Sequence, residues 1–239
     1  MVRRSWVVFV CASALLIGCS SPPEGAVAIV GTAVEPSGAP VLGVGLMMVD
    51  LALAPPSIEA AEFIEIGTGQ YATSLVPVAA DGSFRLPLPA AADLPDGVLS
   101  PADAFLVNVQ DTADCDLLAD PAGVRVSGHI FDEFGVAPGL YGVSLEGLAL
   151  SLVTETPLDI GDLVNYPGRF LVWLYADGPV AIETVGAGCA GNVVVDVELS
   201  SGWNVAAWTY DKVLDQLALG DAPNPSPPIV TLFPQVSAP

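Results

Sequence analysis

Apolar side chains in this chain recur at every second position in short runs, and Gly, Pro, Asp or Asn ends each run before a helical stripe can build. Asn192-Val-Val-Val-Asp-Val-Glu-Leu199 shows it best. Val193, Val195, Val197 and Leu199 share one face and Asp196 and Glu198 the other, the period of a half-buried strand. Phe170-Leu-Val-Trp-Leu-Tyr-Ala176 is apolar on both faces, which predicts a central strand covered on each side. Asp177-Gly178 is expected to fold it into a hairpin with Val180-Ala-Ile-Glu-Thr-Val185. Ser200-Ser201-Gly202 then turns into a strand over 203–210, and 229–233 reads as a last edge strand after the stiff Ala222-Pro-Asn-Pro-Ser-Pro-Pro228. Helical signals are brief. Ser100-Pro101-Ala102-Asp103 fits a turn or two, residues 211–219 predict a short helix with Val213, Leu214 and Leu217 on one side, and 57–66 fits helix or strand. The expected class is all-β, one or two antiparallel β-sandwich modules.

Charge narrows the function. Charged residues are 14% of the 239, and 27 acidic residues face six basic ones. Such a chain lacks the basic footprint of a nucleic-acid binder, and phosphate backbones would repel it.

The first residues set the compartment. Arg3 and Arg4 precede an apolar run from Trp6 to Ile17, whose 12 residues fall short of the ~20 a membrane-spanning helix needs. That is the build of a signal peptide. The run ends in Leu16-Ile17-Gly18-Cys19, which resembles the lipobox of bacterial lipoproteins at all four positions. The resemblance implies cleavage before Cys19 and a diacylglycerol on its thiol, so residues 1–18 would be the signal peptide and 19–25 a lipidated tether. Two or three acyl chains make a durable anchor where one holds weakly. Ser20, in place of an aspartate, points to the outer membrane where a bacterium has one. The alternative is an ordinary secretory signal with a chance cysteine. Removing the signal leaves four basic against 27 acidic residues, a formal charge of −23, which holds the body off anionic head groups.

With Cys11 cleaved away and Cys19 lipidated, Cys115 and Cys189 remain in an oxidising compartment. They are expected to pair, against the alternative of two buried thiols. On chain-entropy grounds, closing so long a loop contributes about 4 kcal/mol.

Two further segments carry a family likeness. Ile29-Val-Gly-Thr-Ala-Val-Glu-Pro-Ser-Gly-Ala-Pro-Val-Leu-Gly-Val44 resembles the opening of carboxypeptidase-regulatory-like domains, small sandwiches akin to transthyretin, and Ala80-Asp-Gly-Ser-Phe-Arg-Leu-Pro-Leu-Pro89 resembles their second signature. Glu35 stands where that family usually has Asp. The resemblance implies a non-catalytic module over residues 26–120, with turns at Pro36-Ser37-Gly38 and Asp81-Gly82, and with Phe84 and Leu86 inward and Ser83 and Arg85 outward. A second β module is expected over 121–221, followed by a Pro-rich segment, 222–239. Gly128–Gly135 echoes Gly31–Gly38, as a repeat or as a chance hairpin.

Chemical motifs fail in context. Gly186-Ala-Gly-Cys-Ala-Gly191 fits G-x-G-x-x-G, but strand period follows where a helix must open, so it reads as a loop presenting Cys189. His129 is the only histidine, which removes two-imidazole metal centres and leaves a hydrogen-bonded strand residue. Lys212 is the only lysine, and no phosphate-binding loop precedes it. Asp111, Asp114, Asp116 and Asp120 are weak Ca²⁺ candidates whose spacing fits no calcium loop; a solvated acidic loop is the plainer reading. Trp173, Tyr175, Trp203, Trp208 and Tyr210 would stack on a glycan if exposed on one concave face and build cores if buried. The expectation is an exported, lipid-anchored envelope protein with a structural or interaction role, no enzyme and no cofactor. Its partners would be the membrane, through the anchor, and an envelope protein or glycan. The alternative is a module that binds glycan or Ca²⁺.

Overall fold

The computed structural model describes residues 27–36, 38–49, 70–73, 75–108, 116–131, 139–144, 147–156, 169–185, 192–211, 213–222 and 225–234. Within them the chain is all-β and sandwich-like, as its period predicts. The first strands are β1 (Ala28–Val34), β2 (Val41–Val49), β3 (Gln70–Ala72), β4 (Val76–Pro77), β5 (Ser83–Pro87) and β6 (Leu99–Pro101). Next come β7 (Leu106–Asn108), β8 (Leu117–Asp120), β9 (Arg125–Ser127), β10 (His129–Phe131), β11 (Leu140–Ser144) and β12 (Gly147–Thr154). The last are β13 (Arg169–Ala176), β14 (Val180–Thr184), β15 (Val193–Leu199), β16 (Gly202–Asp211), β17 (Gln216–Asp221) and β18 (Ile229–Pro234). Two 3₁₀ turns, Ala91–Asp93 and Ala102–Ala104, are the helical pieces among the described residues.

One sheet runs β3-β2-β11-β12-β18-β1-β5 with β4 beside β2, and the other runs β6-β9-β13-β16-β17-β15-β14-β8. A parallel pair, β7 with β10, stands apart. β13 is buried along almost its whole length because it serves two cores. Phe170, Val172, Leu174 and Ala176 join Trp208, Val195, Ile182, Val126 and Phe105 inside the second sheet. Strands from both ends of its order feed this one core, so that sheet curls, and the 3₁₀ turn at 102–104 touches β8 and β14 across the gap. Leu171, Trp173 and Ala207 point the other way and pack with Val44, Leu46, Leu86, Val230 and Leu232 of the first sheet. Leu174 and Leu232 are fully buried, and burying each such side chain contributes about 1.5–3 kcal/mol.

Local signals hold where the partner strand does not matter. β15 alternates buried and exposed as expected, and β5 buries Phe84 and Leu86 while exposing Ser83 and Arg85. Gly82 turns at φ 83°, and Asp81 accepts bonds from the backbone N–H of Ser83 at 3.0 Å and its hydroxyl at 2.7 Å. Those bonds hold the Asp81 carboxyl below its usual range. Gly38 turns at φ 83° too, but β1 and β2 do not pair, since β18, β12 and β11 lie between them. At Gly45 a Cβ would fall 2.4 Å from the Tyr141 ring across the ladder, and the Tyr141 hydroxyl donates to Thr73 O at 2.6 Å.

Four expectations are corrected. β13 and β14 form no hairpin: β13 pairs with β16 and β9, and β14 with β15 and β8. Gly178 lacks the positive φ of a primed turn, and Asp177 binds Arg125 instead, its Oδ1 accepting the backbone N–H at 2.9 Å and its Oδ2 the Nε–H at 2.8 Å. The helix expected at 211–219 is a tight turn into β17, because Asp215 reverses the chain at φ 50° and Leu217 and Leu219 then alternate into the core. β18 is no edge strand; it lies between β12 and β1, antiparallel to one and parallel to the other. The prolines before it carry the chain back to the first sheet, with Pro228 O accepting from Thr32 N at 3.0 Å. The sheets, finally, do not divide at residue 120. The first takes β1–β5 with β11, β12 and β18, and the second β6, β8, β9 and β13–β17, because the chain leaves the first sheet twice and returns twice. The echo at Gly128 likewise opens a strand paired with β7, unlike β1, which pairs with β5 and β18.

Thr231 in β18 is fully buried, and its Oγ1 has no hydrogen-bond partner. Leaving a hydroxyl dry and unpaired costs about 1–3 kcal/mol. Thr231→Val keeps the shape and removes that group, so the urea midpoint is expected to rise, by about 1 kcal/mol of stability; a lower midpoint would show that the hydroxyl is satisfied in solution.

Candidate functional site

The residues able to do chemistry are best followed from His129 outward. Its backbone N–H donates to Phe105 O at 2.7 Å, which fixes β10 alongside β7. The imidazole then enters the core of the second sheet. It stacks on Trp208 with centroids 5.9 Å apart and an interplanar angle of 25°, and Phe170 stacks on the same indole at 6.5 Å. His129 Nε2 accepts the Trp208 Nε1–H at 3.0 Å. An accepting nitrogen carries no proton, so the ring is neutral, and burial pushes its pKa down to about 3. This imidazole is committed to packing and is closed to substrate.

The five aromatics fall on two sides of the β13–β16 wall. Trp173 and Tyr175 are buried on the side of the first sheet. Trp203 joins them edge-on to Tyr175, centroids 5.5 Å apart, and donates its Nε1–H to Pro89 O at 2.8 Å. Trp208 is buried in the other core, and Tyr210 packs against it. They are therefore not brought together on one exposed face; sheet packing uses them.

Asp116 and Asp120 are exposed at the two ends of β8, while Asp111 and Asp114 lie outside the described residues. Among the described residues no three His, Cys, Asp or Glu converge as metal ligands. What the register builds is an anionic face. Asp120 and Glu198 both lie opposite Ala181, on either side of it, and Glu183 lies opposite Asp196. All four carboxylates are exposed, and β8, β14, β15 and β17 contain no Lys or Arg. Like charges directly opposite across a ladder cost a few tenths to about 1 kcal/mol. Arg125 and Arg169 are engaged elsewhere, with Asp177 at 2.8 Å and Glu155 at 3.0 Å. Glu155 also accepts the Ser226 N–H at 3.0 Å, fastening the Pro-rich segment to the end of β12.

Cys19, Cys115 and Cys189 lie outside the described residues, as does the Gly186–Gly191 loop. Their neighbours are placed. Thr184 pairs with Leu117, and Val185 N donates to Asp116 O at 2.9 Å, so Asp116 and Val185 lie side by side. The sequence reading missed the tip of the β16–β17 hairpin, where Val213 and Leu214 are exposed. The acids bracketing that pair, Asp211 and Asp215, were the available signal. No protein-family model, curated protein or solved structure matches the chain.

Below pH 6.5 the unfolded chain takes up a proton on His129 that the folded protein refuses until about pH 3. Stability is therefore complete above that window and falls as pH drops through it, by about 1.4 kcal/mol per unit. Urea unfolding at pH 6 and pH 5 is expected to show this slope in the wild type and to lose it in His129→Gln; equal slopes would contradict the burial.

Proposed function

We propose that the protein is an exported lipoprotein, anchored through lipid on Cys19, whose β body serves the cell envelope in a non-catalytic structural or interaction role, at the outer membrane where the bacterium has one. One observation carries this reading: Leu16-Ile17-Gly18-Cys19 closes an apolar run behind Arg3 and Arg4. The body offers support of a second kind. Its sole imidazole is held by Trp208, and the carboxylates of its anionic face are exposed to solvent. A glycan-binding role finds no exposed stacking face in the five aromatics, which are buried or half-buried on two sides of a wall. Metabolic labelling with palmitate is expected to mark the wild type and to be lost in Cys19→Ala; label retained by the variant would remove the anchor.

We further propose a Cys115–Cys189 bridge, supported by the Val185–Asp116 bond, which joins the residue after Cys115 to one four positions before Cys189. It would pin the edge strand β8 to the loop after β14. Alkylating the denatured protein before and after reduction is expected to add two labels only after reduction. An unchanged mass would rule the bridge out.

A further inference from the structure

The turn between β16 and β17 displays a pair of apolar side chains that folding does not use. Val213 is 92% exposed and Leu214 63%. Single exposed apolar residues are ordinary; these two are adjacent and rigidly presented. Asp211 Oδ1 accepts the backbone N–H groups of Val213 and Leu214 at 2.8 and 3.1 Å, and the Tyr210 hydroxyl donates to Asp215 Oδ1 at 2.6 Å. A turn held this way loses little freedom on binding. At its foot is a shallow depression lined by Thr209, Tyr210, Asp211, Gln216 and Ala218. Beyond it, across β17, the exposed carboxylates of Asp196, Glu198 and Glu183 begin level with Gly220, four residues along that strand from Gln216 and about 13 Å from the base of the turn.

Charge selects the occupant. A second copy of this acidic chain and an anionic lipid surface would both be repelled. Lys212 is the one cation in the sequence of the turn, against Asp211 and Asp215. Position adds a second argument, which rests on the anchor proposed above. Val27, where the tether joins the body, binds Leu88 N through its carbonyl, and the next residue, Pro89, accepts from Trp203 at the start of β16. The turn lies at the other end of that strand, roughly 25 Å away at about 3.3 Å per residue, so it stands clear of the tether.

We propose that this turn is a docking knob for a protein partner that offers an apolar pocket in a basic surface. Val213 and Leu214 fill the pocket, and the carboxylates of the turn and of the β14–β15 face meet lysines and arginines around it. The test uses the full-length chain in cells that produce it, with a benzophenone amino acid at position 213. The expected result is an adduct to a basic protein, reduced about tenfold by Leu214→Asp and several-fold by Asp196→Lys with Glu198→Lys. The same reagent at Leu118, 50% exposed on β8, is expected to give none. Unchanged melting of Leu214→Asp confirms that the fold is kept. No adduct, one formed equally from position 118, one insensitive to Leu214→Asp, or one to lipid or to another copy of the chain each overturns the knob. Palmitate labelling of the same sample separates the readings: labelled protein without the adduct removes the knob alone, and the adduct on unlabelled protein removes the anchor alone.

Discussion

The pairing of β13 with β16 bears on everything else in the molecule. Eight residue pairs in register, from Arg169 with Thr209 to Ala176 with Gly202, make a wall with a core on each side. Because both sides of that wall are buried, its sequence has to be apolar at successive positions, and β13 is. The same demand explains the aromatics. Trp173 fills one core and Trp208 the other, and each indole or ring removed from water contributes far more to holding the two sheets together than it could as an isolated surface contact. Truncating Leu174 or Trp208 would open a void in the curled sheet, where losses of about 3–5 kcal/mol are usual.

Much of this is legible in the sequence. Alternation in 193–199 gave the buried and exposed faces of β15, and a two-faced apolar run gave β13, because each depends only on which sides of a strand are covered. Asp81-Gly82 was legible as a turn because a positive φ and an Asp that bonds two residues ahead are local facts. What could not be read was partnership. Asp177-Gly178 looks like a hairpin turn, but Arg125, 52 residues upstream, binds its carboxylate, and β16, β17 and β15 lie between the strands on either side. Val213, Leu214 and Leu217 fit a helical face, yet Leu217 pairs with Tyr210 across the turn and with Val193, 24 residues upstream, a contact no short window of sequence contains. The surroundings of His129 were half legible: one histidine in a strand predicts a structural role, and the identity of Trp208 as its partner needed the fold.

The anionic face and the apolar turn show two ways in which a surface can depart from what stability alone would select. Glu183 opposite Asp196 is a standing repulsion on a ladder with no cation among its strands. Val213 is solvated almost completely although its backbone is fastened by Asp211. A chain optimised for folding alone would exchange one charge and hide the valine.

The seating of β18 between β1 and β12 also governs the order in which the body can form. β1 finds one of its two neighbours only 197 residues further along the chain, Thr32 pairing with Ile229 (229 − 32 = 197). A polypeptide threaded N-terminus first through a narrow pore would thus emerge with β1 half-partnered until β18 followed. Such wiring delays closure of the first sheet, at the expense of the slow search that long-range pairing entails.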